Sequence, residues 1–377
     1  WERAVTKQYN NSSAKSLKFT ISSVPFFRTF FNLTKQLGET KMAYYVGWTM
    51  TQRLALLLNN FAIYDLYHLS SDGADQWHQQ FCVDMAHNLV GLAFYSDYAI
   101  LRATPAVLDD VSHLTRNIRH FFHTAIIAAP WFTINVSILS NKSAIDSSLS
   151  LIQQLMEPEG LEATYANFPD MTDTLLANVR LINSANQTIL AASRTSSIDD
   201  DGAIRSYEIT SGLYLLFPIA LEMPLYGVEM PERLKYAGLG SEVASAIATI
   251  VFDNWHLWDT KTRNELLLRA ACFFGKPLAA NELKWEHWDL LIRVLALRVL
   301  WVTVQSVVST DAPMVLRGLQ HLSEQQLFFV VWCFMTCGES DGRDRCNRPL
   351  RQVSAFAKTF SCSSHSAMSA PTECPLF

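Results

Sequence analysis

Glu286, His287 and Asp289 stand together in the segment Trp285-Glu-His-Trp-Asp289, and carboxylates and imidazoles are the donors a divalent metal takes. The same segment also reads as the acid-rich first turn of a helix, where carboxylates meet the positive end of the dipole. His120-Phe-Phe-His123 offers two imidazoles from one helix face, but its flanks are aromatic and no third donor lies nearby, so surface or core histidines are the plainer reading. Cys333 and Cys337 fall one helical turn apart with no second pair to complete a metal site. Gly238-Leu-Gly240-Ser241 has half the shape of a phosphate loop, yet no Gly-Lys-Ser/Thr follows and no strand–helix alternation surrounds it, which leaves a structural turn. Arg343, Arg345, Arg348 and Arg351 form a basic cluster, which is either a solvated face or a clamp for carboxylates.

The elements that must position these groups are helical. Val24 to Phe31 predicts a short apolar helix, Met42 to Ile63 a longer one, and further helices are expected over Asp75–Leu101, Pro105–Ala129 and Asn141–Met156. Pro130 stops the fourth of these. Between Glu157 and Ile204 the periodicity fades, and Ser196 to Gly202 is a polar run ending in glycine, read as a domain junction. Beyond it come a proline-punctuated apolar stretch from Tyr207 to Tyr226 and a glycine-containing turn at Tyr236-Ala-Gly-Leu-Gly240. A helix from Ser241 to Val251 follows, with Glu242 as its lone charge. That helix is apolar or small on every side and should be buried nearly all round. Trp258–Phe273, Trp288–Ser309 and Ser323–Cys337 complete the helices, and the chain after Gly338 reads as irregular and cysteine-rich.

Composition bounds the partners. The 377 residues are 49% hydrophobic and 17% charged, which excludes a disordered chain and suits a large globular protein. A net charge of -5 with no polybasic run argues against nucleic acid. No membrane span is expected, because the best apolar runs look short or interrupted, as Leu213–Leu221 is by Pro218. With Trp at position 1 and no leader pattern, the chain reads as a fragment or a processed product. Sequons at Asn10, Asn11, Asn32, Asn135, Asn141 and Asn186 favour an oxidising, extracellular or secreted setting, as does the crowding of cysteines between Cys333 and Cys374.

Several separated blocks then carry a resemblance. Gln326-Leu-Phe-Phe329, Thr336-Cys-Gly338, Arg345-Cys-Asn-Arg-Pro-Leu350, Phe356-Ala-Lys-Thr-Phe-Ser-Cys362 and Met368 with Pro371 and Cys374 follow one another in order. In type and spacing this order resembles the C-terminus of the neprilysin family of zinc metallopeptidases. The likeness extends upstream through Tyr207, Phe217-Pro218, Pro224 and Leu234–Gly240, and more weakly through Trp77, Cys82, Tyr95 and Trp131. It implies a mainly α, two-lobed ectodomain: a helical N-terminal lobe over 1–193, a junction at 194–206, and a thermolysin-like C-terminal lobe over 207–377 that can keep a small β element.

The resemblance also implies a site, and here the chain departs from the family. The family's glycine block leads into H-E-x-x-H, in which two histidines one helical turn apart hold zinc and the glutamate polarises its water. Counted without gaps, those positions are Ser245, Ala246 and Thr249, and no histidine lies between Ser206 and Asp253. The third-ligand position falls at Asp289, its supporting aspartate at Arg293, and the oxyanion histidine at Glu339. The Asn-Ala that anchors substrate in the family becomes Arg205-Ser206, while Arg345 keeps the arginine that grips substrate carbonyls.

Zinc, the family's cofactor, is expected to be lost, leaving an inactive homologue that binds extracellular peptides or proteins. Two alternatives stand beside it: an active zinc enzyme with a site relocated to His256, Glu286 and His287, and a decayed product. By resemblance Cys272 pairs with Cys374, whereas Cys82, Cys337 and Cys362 have family partners that this chain does not contain. Cys333 and Cys346 depart from the family pattern and can pair with each other.

Overall fold

The computed structural model describes residues 24–55, 101–132, 168–189, 218–253, 258–308, 316–338, 341–363 and 373–376, with shorter stretches between 78 and 100, between 162 and 166, between 207 and 216, and at 255 and 365–369. The chain divides into a unit Trp1–Cys82 and a larger unit Val83–Phe377. The first contains two successive helices, α1 (Val24–Leu37) and α2 (Glu39–Ala55), broken at Gly38. Gly38 has φ of 82°, a conformation in which a Cβ is strained. Residues 56–63 of the expected second helix and the expected 194–206 junction lie outside the described residues, as does the helix expected over Asn141–Met156.

The larger unit is built around α7 (Leu239–Asp253), as its composition requires. Before it come α3 (Ser96–Arg102), α4 (Pro105–Ala128), α5 (Leu175–Ile189), a hairpin of β1 (Tyr207–Thr210) and β2 (Leu213–Leu216), and α6 (Glu232–Ala237). After it come α8 (Thr260–Phe274), α9 (Trp285–Val307), α10 (Glu324–Phe334), α11 (Gly342–Leu350) and α12 (Ser354–Thr359). Antiparallel pairing sets Tyr207 opposite Leu216 and Thr210 opposite Leu213. The fold is thus mainly α with one small β element.

Local signals explain the boundaries. Thr104 caps α4, with Pro105 in its first turn, and Asp259 caps α8 by accepting from the Thr262 N–H at 2.8 Å. Gly275 ends α8 in the left-handed conformation. Ser323 and Gln326 exchange hydrogen bonds in a capping box that opens α10. That helix ends at Phe334 rather than Cys337, since the next turn closes through Thr336 N–H to the Cys333 carbonyl and Cys337 N–H to that of Phe334.

Three long helices meet at the centre, with α7 packed on both α4 and α9 and α4 also on α9. Ile118, Phe122, Val243, Ala246, Leu291, Val294 and Leu300 are buried to 1% exposure or less, each large apolar side chain contributing about 1.5–3 kcal/mol. Close approach needs small residues. A Cβ on Gly240 would stand 3.3 Å from Leu300 Cδ1 and 3.4 Å from Ile118 Cδ1. The apolar runs are not all short: α9 is long and apolar enough, by length and composition, to cross a membrane. Most of that apolar stretch is buried within this protein, and Asp289, Arg293 and Arg298 on the same helix form ion pairs.

Polar groups lock α4 to α6 and to the turn before it. Asp110 Oδ2 accepts from Tyr226 Oη at 2.6 Å and from Lys235 Nζ at 2.7 Å, and Asn117 donates to Tyr236 Oη at 2.9 Å. Burial alone would raise the Asp110 carboxyl, but the hydrogen bonds from Lys235 and Tyr226 outweigh it and hold the group below its ordinary value. Such a group adds stability that is complete above the unfolded carboxyl value near ~4 and is lost as pH falls through the lower native one. Urea midpoints for Asp110→Asn should therefore fall less steeply below about pH 4 than those of the parent. Parallel curves would count against this role.

Two disulfides fix the later elements. Cys272 of α8 is joined to Cys374, and Cys333 of α10 to Cys346 of α11. Cys82, Cys337 and Cys362 are thiols.

Candidate functional site

The site begins with the face of α7 where the zinc motif was expected. Ser245 and Thr249, one turn apart, are half-buried, whereas Ala246 is fully buried. The Thr249 hydroxyl donates to the Ser245 carbonyl at 2.8 Å, so it is spent within its own helix. Neither hydroxyl is a zinc donor at neutral pH, and Ala246 carries no base. These residues do not fit the metal.

Across from α7, the first turns of α9 carry Asp289. Its Oδ1 accepts from Arg293 Nε at 3.0 Å and from Arg345 Nη2 at 3.1 Å, while Oδ2 accepts from the same Arg293 Nε at 3.2 Å. All three side chains are mostly buried, with 18%, 17% and 25% exposure for Asp289, Arg293 and Arg345. Two guanidiniums against one carboxylate leave the cluster cationic. They also occupy the lone pairs that a metal would need. Asp289 and Arg345, singled out separately in the sequence, are thus brought together, and Arg345 reaches from α11 to join them. Arg293 was read only as a lost aspartate. Its spacing four residues after Asp289 on a helix was the signal for an ion pair.

The remaining positions separate. Glu339, Arg205, Ser206 and His256 lie outside the described residues, as do Asn10, Asn11, Asn135 and Asn141. Asn32 is exposed on α1 and Asn186 lies within α5. His287 accepts the Lys284 N–H on Nδ1 at 2.9 Å and sets its ring edge-on to Phe274, with centroids 4.5 Å apart, while Glu286 is exposed. His287 therefore caps the start of α9. His120 is exposed and lies edge-on to Phe121. Among the described residues no group of His, Cys, Asp and Glu is placed to hold a metal ion.

The C-terminal blocks converge on a separate cavity of about 580 Å³, lined among others by Phe329, Cys337, Asn347, Phe356 and Met368. The Cys333–Cys346 disulfide forms part of its wall. No sequence signal marked this cavity, because α11 lacks an apolar periodicity and carries Pro349 within it.

The architecture that holds these groups is a zinc metallopeptidase fold. One solved structure it resembles is that of the zinc metalloprotease Zmp1 of Mycobacterium tuberculosis in complex with an inhibitor, with a TM-score of 0.52 and 15% identity over 81% of this chain and 50% of that one. The open state of Zmp1 gives a TM-score of 0.48 at 15% identity, over 75% of this chain and 50% of that one. The chain thus spans about half the length of the protein it resembles. No protein-family model matches the chain, and no curated protein matches it in sequence.

Proposed function

We propose that this protein is a catalytically inactive homologue of the neprilysin-type zinc metallopeptidases, which binds extracellular peptides or proteins without cleaving them. The observation that carries this reading is the state of the third-ligand position. Asp289 is held between Arg293 and Arg345. The helix that would supply the other ligands offers Ser245, Ala246 and Thr249 instead. Hydrolysis of a peptide by this class of enzyme needs a metal-bound water and a base to take its proton. Neither can be assembled from the residues at these positions. What the same positions retain is a cationic patch built on Arg345 and Arg293, suited to carbonyl or carboxylate groups of a peptide.

The test is a zinc determination on the purified chain, run beside hydrolysis of a neprilysin-type peptide. Zinc well below one equivalent and no chelator-sensitive cleavage are expected. Stoichiometric zinc with cleavage abolished by a chelator would overturn the proposal. Binding is read separately: labelled peptide should be retained by the parent and released by Arg345→Ala.

A further inference from the structure

The segment of α1 and α2 differs in charge from the protein as a whole and exposes an apolar stripe. At about 100° per residue, Phe26, Phe30, Leu33 and Leu37 fall on one stripe of α1, and Phe27 and Phe31 widen it. Arg28, Asn32, Lys35 and Gln36 occupy the opposite side, with Arg28 and Lys35 at its edge next to Phe31, and α1 contains no acidic residue. The apolar stripe is accessible: Phe26 is 60% exposed, and Phe31, Leu33 and Leu37 are all exposed. On α2, Met42 turns inward, while Tyr44 and Trp48 stand on the side away from it at 76% and 61% exposure, with Lys41 beside them and Tyr45 flanking.

Charge indicates what this surface faces. Between Val24 and Ala55 the chain has Arg28, Lys35, Lys41 and Arg53 against Glu39, a net of 4 − 1 = +3 in a protein of net -5. A cationic segment in an acidic protein is drawn to an anionic surface. On α1, a broad phenylalanine arc edged by long cationic side chains matches the layering of a bilayer boundary, and α2 adds exposed Tyr and Trp. At such a boundary, apolar rings enter the acyl edge, Tyr and Trp sit at headgroup level, and Arg and Lys reach lipid phosphates. We infer that the α1–α2 segment is a peripheral membrane-docking surface that selects bilayers containing anionic lipid.

Co-sedimentation of the whole chain with phosphatidylcholine vesicles, with and without phosphatidylserine, tests this. Retention should require phosphatidylserine and weaken as salt is raised. Arg28→Glu with Lys35→Glu should abolish retention, and Phe26→Ser with Leu37→Ser should lower it by about tenfold or more. Leu268→Ser, at an exposed position on α8, should leave it unchanged. Far-UV circular dichroism matching the parent shows that each variant is folded. A parent that stays in the supernatant overturns the inference, as does equal retention of the parent and both α1 variants. A concentration-dependent dimer, lost in the Phe26→Ser, Leu37→Ser protein and without vesicle retention, would instead make this face a contact between copies and equally overturn it.

Discussion

Ala246→Glu should destabilise the protein by about 4 kcal/mol or more, read as a large fall in the urea midpoint. Ala246 is fully buried on the helix at the centre of the larger unit, and its methyl group packs in the shared core of α4, α7 and α9. A glutamate there must either ionise without a partner or stay protonated in apolar surroundings, and it must also find room for four more heavy atoms. Ser245→His and Thr249→His, at half-buried positions, should each cost only about 1 kcal/mol. The contrast bears on function, because a catalytic glutamate at position 246 would have to face a water-filled cleft. A loss below about 1 kcal/mol for Ala246→Glu would mean that such a cleft opens here, and would weaken the case for an inactive protein.

Gly238→Ala should cost about 3 kcal/mol, measured by the same unfolding curves. An added Cβ would lie 2.2 Å from the Leu225 carbonyl oxygen and 3.0 Å from its carbon, and backbone cannot step aside as a flexible side chain can. That carbonyl also accepts the Leu239 N–H at 2.7 Å, the bond that ties the start of α7 to the turn before α6. Displacing it leaves a buried donor unpaired. Gly240→Ala is the control. Its Cβ meets only side-chain methyls at 3.3 Å and beyond, and the helix gains up to about 1 kcal/mol from alanine, so the two should nearly cancel. Equal losses at both glycines would show that helix propensity rather than the Leu225 contact governs the site.

The buried nature of α7 was legible because period and composition agreed: from Ser241 to Val251 small and apolar residues ran around the helix with Glu242 as the one charge. The long helices α4, α9 and α10 were legible for the same reason, together with their proline and serine boundaries. α5 was not, since its stretch is rich in Asn and Ser, which compete with helix formation through their own side chains. α11 was read as irregular because its sequence, Gly-Arg-Asp-Arg-Cys-Asn-Arg-Pro-Leu, has almost no apolar residue to show a period. Its place depends instead on the Cys333–Cys346 disulfide and on Arg345 reaching Asp289, both tertiary contacts. The candidate site followed the same division. Single residues were found one at a time, but the salt-bridged trio of Asp289, Arg293 and Arg345 needed the packing of α11 on α9 to appear.

That trio bears on the reversibility of the change. Under the proposed register, writing histidines back at 245 and 249 would present them to a carboxylate already neutralised by two cations, and the extra positive charge would repel an incoming metal ion. Arg293 would have to be replaced together with the helix residues before any of the changes gave a benefit. On the proposed reading, the two ion pairs on Asp289 act as a ratchet: no single substitution along that route would improve metal capture.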